Sequence, residues 1–304
     1  MERRDIIQTK DLEYFQELDQ ELKLVPLTYD FTFKKVFKNN PTYMKEFIYT
    51  MLPFLNLENY KVRFLDSELT KEKKERKKTV DILISLDDKI YIDIEMNRSK
   101  FQNIYLRNLE YLKRLSTMLW KEGEDIQNLK EKKVIQINLN ANEKEKAPDD
   151  IIASCGLLTG YIYDVNGLVF SKNLEENHYL YYNEGVRRKD VIWLTALTSK
   201  TFTELYKLIS QVLEKSVALK FMEDVVDMSK DEFILHEWEK DKFDELVKIN
   251  ELESAINEGK AIGFEDGTNK RNIEIAKNML KENIDIKTIS KVTGLRVEDI
   301  QNIK

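Results

Sequence analysis

Residues 90–97 (IYIDIEMN) alternate without a fault, with Ile90, Ile92, Ile94 and Met96 on one side and Tyr91, Asp93, Glu95 and Asn97 on the other. Successive side chains of a strand point to opposite faces, so this segment reads as a strand with one wholly apolar face. That pattern marks a central, buried position in a sheet. Carboxylates there are unfavourable unless something pairs them. One strand earlier, Thr79–Leu86 (TVDILISL) is rich in β-branched residues and carries Asp81 just ahead of Ile82, Leu83 and Ile84. The intervening Asp87-Asp88-Lys89 is of hairpin length, so neighbouring strands present Asp81 and Glu95 side by side. Like charges held that close repel, and a hard divalent cation with oxygen ligands relieves the repulsion. Mg²⁺ or Mn²⁺ fits such a pair, whereas a softer metal lacks its ligands. A plainer reading stands beside this one. In it Asp81 pairs with the basic run Lys71–Lys78 (KEKKERKK), and Asp93 or Glu95 lies on a solvated sheet face.

The rest of the composition narrows the choice. The chain has 304 residues with 9 Gly, 4 Pro and one Cys, which excludes collagen-like and linker-dominated architectures and any internal disulfide. Cys155 reads as a small buried hydrophobe, and His178 and His236 as structural. A Cys/His zinc site is excluded, and a reducing compartment is expected. The first residues lack an apolar stretch of signal-peptide length, and no window approaches 18 apolar residues. A soluble cytoplasmic protein without membrane partners is the expectation. The net charge of −6 is unevenly spread: Phe221–Lys260 holds 13 acidic and 5 basic residues, a balance of −8, which leaves +2 for the remainder. An anionic partner therefore remains compatible with most of the chain.

Along the chain, a helical block follows Leu27-Thr28-Tyr29-Asp30-Phe31-Thr32-Phe33-Lys34-Lys35-Val36-Phe37. Asn40-Pro41 starts a second helix, since Asn caps well and Pro is tolerated at the first helical position. Tyr60–Leu69 alternates as a strand before the two strands already described. From Phe101 to about Lys121 the period becomes helical, with Ile104, Leu109, Leu112, Leu115 and Leu119 in one stripe. Val134–Leu139 reads as a strand, Leu157–Phe170 and His178–Tyr182 as further short strands, and helices are expected from Asp190 onward. An acidic helix spans roughly Asp231–Asn257, and Gly259, Gly263 and Gly267 read as a joint, because each glycine weakens a helix by about 1 kcal/mol. Beyond it come three helical pieces broken at Asn283 and Gly294. The expected fold is α/β, an α-β-β-β-α-β core with a helical C-terminal region. Its domains are residues 1–230, an acidic helix and joint at 231–266, and a small helical tail at 267–304.

Asp81-Ile-Leu-Ile, then Ile94-Glu95-Met96-Asn97, then a helix with Arg107 and Tyr111, resembles the PD-(D/E)XK nuclease superfamily. It looks in particular like the transposase-like or recombination-promoting branch. Tyr29–Phe37, Val134–Ile137 and the tail segments Ala276–Leu280 and Ile289–Leu295 extend the likeness over most of the chain. The resemblance implies a restriction-endonuclease-like core and a Mg²⁺-dependent (or Mn²⁺-dependent) DNA endonuclease. Asp81 and Glu95 would be catalytic metal ligands. Asn97 stands where much of the superfamily has lysine and many members of this branch have glutamine. An amide orients water but brings no positive charge, which Arg107 on the following helix would supply. Lys34 and Tyr111 complete the expected substrate contacts, and Lys71–Lys78 reads either as a run that tracks phosphates beside the site or as a solvated hairpin tip. A second register stays open, with Asp93 as ligand and Glu95 in the lysine position. Glu46 is a further acidic candidate, more simply an exposed helical residue. The tail has helix-turn-helix proportions, or is an assembly module, and homo-oligomers are compatible with it. Recombination, mobile-element behaviour or phage defence are the implied roles. The rival class is a non-cleaving DNA-binding or assembly protein that keeps the fold.

Overall fold

The computed structural model describes residues 2–55, 60–65, 80–98, 104–118, 132–141, 149–155 and 162–303. Three helices come first: α1 (Glu2–Glu21), α2 (Asp30–Asn39) and α3 (Pro41–Met51). Strands β1 (Val62–Phe64), β2 (Ile82–Leu86) and β3 (Ile90–Asn97) follow, then α4 (Ile104–Met118) and β4 (Lys133–Asn140). Strands β5 (Asp150–Cys155) and β6 (Ile162–Asn173) complete a six-stranded sheet of order β1-β2-β3-β4-β6-β5. Helices α5 (Leu174–Tyr182), α6 (Lys189–Leu197), α7 (Phe202–Val212), α8 (Lys215–Lys230), α9 (Glu232–Lys281), α10 (Ile286–Thr293) and α11 (Val297–Gln301) follow. This is the α/β, restriction-endonuclease-like arrangement with a helical C-terminal region that the sequence leads one to expect.

The hairpin between β2 and β3 turns on Asp87 and Asp88, both at positive φ (50° and 55°). The Lys89 N–H closes the turn on the Leu86 carbonyl oxygen (3.0 Å), a turn with both central residues at positive φ, which Asp tolerates because its short side chain bonds locally. Here the Asp88 N–H donates to Ser85 Oγ (3.0 Å) and the Lys61 N–H to Asp87 Oδ1 (2.9 Å). The turn sets Ile82 opposite Ile94 and Leu86 opposite Ile90. Strand β4 lies parallel to β3, with α4 in the crossover, and pairs Asp93 with Gln136, Glu95 with Asn138 and Asn97 with Asn140. Strand β6 continues in parallel and β5 closes the edge in antiparallel sense.

One face of the sheet (Ile82, Ile84, Ile92, Ile94, Ile135, Ile137) packs on a core rich in aromatics. Phe33, Phe37, Phe47, Trp193 and Phe221 form a cluster with ring centroids 4.9–6.3 Å apart. The other face is apolar only in part. There Leu83, Val134 and Val169 meet Leu112 and Leu115 of α4.

Several local expectations are corrected. His178–Tyr182 is not a strand but the end of α5. Asn173 caps that helix by accepting from the N–H groups of Glu175 and Glu176, and these two acids also suit its positive end. Helix α1 and strand β5 were not anticipated. Helix α9 runs unbroken through Gly259, Gly263 and Gly267, where a joint was expected. The breaks at Asn283 and Gly294 are present, both in left-handed backbone (φ 59° and 72°). Lys71–Lys78 and the ends of the helical stripe, Phe101 and Leu119, lie outside the described residues, as does the Cys155 side chain.

The chain forms two compact units, Met1–Trp238 and Glu239–Lys304. The second has its own small core of Ala276, Ile289 and Ile300. Among the described residues no helix is long and apolar enough to cross a membrane.

Candidate active site

The polar row of β3 faces α4, and the residues singled out from sequence meet there. Asp81, one residue before β2, and Glu95 on β3 are both buried and linked through the backbone. The Asp81 N–H donates to Glu95 Oε1 (3.1 Å), and the Met96 N–H donates to Asp81 Oδ2 (2.8 Å). The remaining Asp81 oxygen pairs with Lys34 Nζ at 2.7 Å. Helix α2 aims that lysine because its neighbour Phe33 is held in the aromatic core. On the other side, Arg107 Nη2 lies 3.8 Å from Glu95 Oε2 and donates to Asn97 Oδ1 (2.7 Å). The Arg107 guanidinium stands over the Tyr111 ring at 5.8 Å, one helical turn along α4. Lys34, Asp81, Glu95, Arg107, Asn97 and Tyr111 thus form one connected group.

Sequence reasoning missed a second row. Strand β4 carries Gln136, Asn138 and Asn140 on the face that β3 gives to Asp93, Glu95 and Asn97, and all three are buried. Asn97 Nδ2 donates to Asn140 Oδ1 (2.9 Å), and Asn140 Nδ2 donates to Ser171 Oγ (2.9 Å) on β6. Asn108 on α4 donates to Asn138 Oδ1 (2.9 Å) and Asn97 Oδ1 (3.3 Å). Gln136 Nε2 donates to Asp93 Oδ2 (2.8 Å) and to the Asn108 carbonyl oxygen (3.0 Å). The available signal was the alternation of KVIQINLN, which repeats the polar spacing of β3 without its charges.

Electrostatics follow from burial. The Glu95 carboxyl is pushed well above the usual carboxylate range, chiefly by loss of water and then by the charges of Asp93 and Asp81; Arg107 opposes the shift. Asp93 is raised to about 7, again chiefly by burial, with the Gln136 hydrogen bond working against it. Its Oδ1 is buried and has no hydrogen-bond partner among the described residues. Burial likewise raises the Tyr111 phenol. The site is therefore a desolvated concentration of carboxylates already drawing two cationic side chains.

Among the described residues, no group of three or more His, Cys, Asp or Glu side chains is arranged to hold a metal ion. The donor set fits a narrower demand. Asp81 and Glu95 are hard oxygen donors on adjacent strands, and Mg²⁺ is usually held by one or two carboxylates while water and phosphate oxygens complete its shell. Lys34 and Arg107 are the cationic side chains beside these oxygens.

Other candidates lie elsewhere. Glu46 on α3 lines a surface cavity with Lys45, Tyr49 and Tyr60. His178 Nδ1 is bonded to Thr198 Oγ1 (2.9 Å), and His236 stands beside Glu237.

Comparison with known proteins identifies the family. The family model described as PD-(D/E)XK nuclease family transposase matches residues 27–251. The model described as Rpn/YhgA-like nuclease family, C-terminal HTH domain, matches residues 269–304. No curated protein and no solved structure matches the chain.

Proposed function

The chain belongs to the PD-(D/E)XK nuclease family transposases, and from that premise we propose that it is a divalent-metal-dependent DNA endonuclease acting in the cytoplasm. The observation that carries the reading is the connected group Lys34–Asp81–Glu95–Arg107–Asn97, in which Asp81, just ahead of β2, and Glu95 and Asn97 of β3 are met by Lys34 of α2 and Arg107 of α4. Asp81 and Glu95 would hold Mg²⁺ or Mn²⁺, which when bound supplies Lewis-acid polarisation of the phosphate and a more acidic water. The chain's own groups do the rest. Asn97 is fixed by Arg107, Asn108 and Asn140, so its amide is preorganised to orient a water molecule rather than free to rotate. Arg107 brings to Asn97 the positive charge that a lysine would carry, and with Lys34 it offsets negative charge building on the phosphate. Tyr111 limits where the guanidinium can go.

The catalytic part of this reading rests on residues 1–230, with the acidic segment 231–266 and the tail 267–304 contributing contacts to DNA or to assembly. Roles in recombination, mobile-element movement or phage defence belong to the same proposal. Incubating the purified protein with supercoiled plasmid in Mg²⁺ or Mn²⁺ tests it: wild type should nick or linearise the plasmid and Glu95→Gln should not. A second reading, a non-cleaving DNA-binding or assembly protein, is favoured by the bonds that already engage the Asn97 amide, Oδ1 with Arg107 and Asn108 and one Nδ2 hydrogen with Asn140. Retained DNA binding with no cleavage in either metal would select it.

A further inference from the structure

Within the Glu239–Lys304 unit, we infer that the exposed stripe of α9 is the docking surface for a second copy of this chain, laid antiparallel. Ile249, Leu252, Ile256, Gly259 and Gly263 recur at intervals of three and four. That spacing is the seam of a helix that packs lengthwise against another helix. The tail's own core uses Ala276 and its neighbours further along α9, and it leaves this seam uncovered. Leu252 is 57% exposed and Ile256 46%. Packing among the described residues does not explain the glycines. A Cβ built at Gly259, Gly263 or Gly267 would meet nothing within 4 Å, yet glycine weakens a helix interior. Their use is to let a second backbone come close.

Charge selects the partner and its direction. Residues 239–258 carry seven acidic and three basic side chains, whereas 259–281 carry three acidic and five basic. A parallel pair would lay acid on acid. An antiparallel pair of identical chains lays the acidic half of each on the basic half of the other, and the twofold makes both contacts equivalent. The same arrangement sets Leu252 opposite Gly267 and Ile256 opposite Gly263, large side chains against flat helix surface.

Sedimentation equilibrium of the full chain tests the proposal. Wild type should be a dimer at micromolar concentration. Leu252→Glu with Ile256→Glu should weaken association by at least about tenfold, the effect of roughly 1.4 kcal/mol, with far-UV circular dichroism unchanged. A monomeric wild type, or a dimer that the double variant keeps, overturns the proposal. Gly263→Leu gives an independent reading should the charged variant lose helix. On a lone helix leucine raises helicity and thermal stability, but on a packed face it dissociates the dimer; stabilisation with association unchanged overturns the proposal. For direction, Leu252→Cys and Gly267→Cys chains, each in a Cys155→Ala background, are mixed and oxidised. Excess disulfide between the two different variants supports the antiparallel pair. Predominance of the disulfide joining two Leu252→Cys chains, or two Gly267→Cys chains, overturns it.

Discussion

Strand β3 carries two faces on one backbone. Ile90, Ile92, Ile94 and Met96 enter the main core, while Asp93, Glu95 and Asn97 point to α4. Depth does not distinguish them: Ile92 is 0% exposed and Glu95 2%. What differs is how each face is satisfied. Apolar side chains need only close packing, and any neighbour of suitable shape will serve. Each polar atom needs a partner in a particular direction: the amides of β4, the backbone of Asp81 and the guanidinium of Arg107 supply them for Glu95, Asn97 and one oxygen of Asp93, and the other Asp93 oxygen has none among the described residues. The polar face is thus specified more tightly and stabilised less. The two faces should therefore respond oppositely to substitution.

The largest separation is expected for cleavage. Asp81→Asn and Glu95→Gln keep side-chain shape but remove a charge that the proposed function assigns to the metal, and losing several kcal/mol of transition-state stabilisation lowers the rate on the order of 10³-fold or more. The same substitutions relieve repulsion among buried carboxylates, so the urea midpoint of the metal-free protein should stay put or rise. A plasmid assay together with urea titration checks both halves. A clear drop in midpoint would give these carboxylates a structural role.

The mirror experiment uses the apolar face. Ile92→Ala or Ile94→Ala leaves a cavity in a close-packed core and should lower stability by about 2–5 kcal/mol. Cleavage per folded molecule, measured well below the melting temperature, should be nearly unchanged. If the rate instead falls as far as in Glu95→Gln, the two faces are not separable.

A smaller effect is expected from metal. A ligand of the native state at about 100 times its dissociation constant stabilises by about 2.7 kcal/mol. Millimolar Mg²⁺ or Mn²⁺ should therefore raise the melting temperature of wild type and leave Asp81→Asn and Glu95→Gln where they were. An equal rise in all three proteins would place the cation elsewhere.

The two faces also differ in how legible they were. Strict alternation over Ile90–Asn97 was enough to identify a buried strand, and with the hairpin before it, enough to set Asp81 beside Glu95. The charges made that row conspicuous. Gln136, Asn138 and Asn140 alternate just as regularly, but amides are common on solvated strands, and only the β3–β4 register reveals what they meet. The strand expected at His178–Tyr182 fails because the cap at Asn173 decides for helix. The glycines of α9 were read by propensity alone, and a cost of about 1 kcal/mol per site does not break a helix.

The smallest expected effect concerns Asp93, which decides between the two registers of the site. Its side chain is fully buried; one oxygen accepts from Gln136, and the other has no partner among the described residues. It also raises the carboxyl of Glu95 through like charge. Asp93→Asn keeps an oxygen for Gln136, removes that charge, and turns an amide toward the carboxylates, which can accept from it. The variant should gain roughly 1 kcal/mol in a urea titration, the net worth of one buried hydrogen bond, and should keep cleaving DNA with wild-type metal dependence. That outcome assigns the metal to Asp81 and Glu95, with Asn97 as the water-orienting group. Should Asp93→Asn abolish cleavage as fully as Glu95→Gln, the functional pair moves two residues back along β3, to Asp93 and Glu95. Asn97 would then be a structural link between Arg107 and Asn140, and the polar face would hold its chemistry one layer deeper in the sheet.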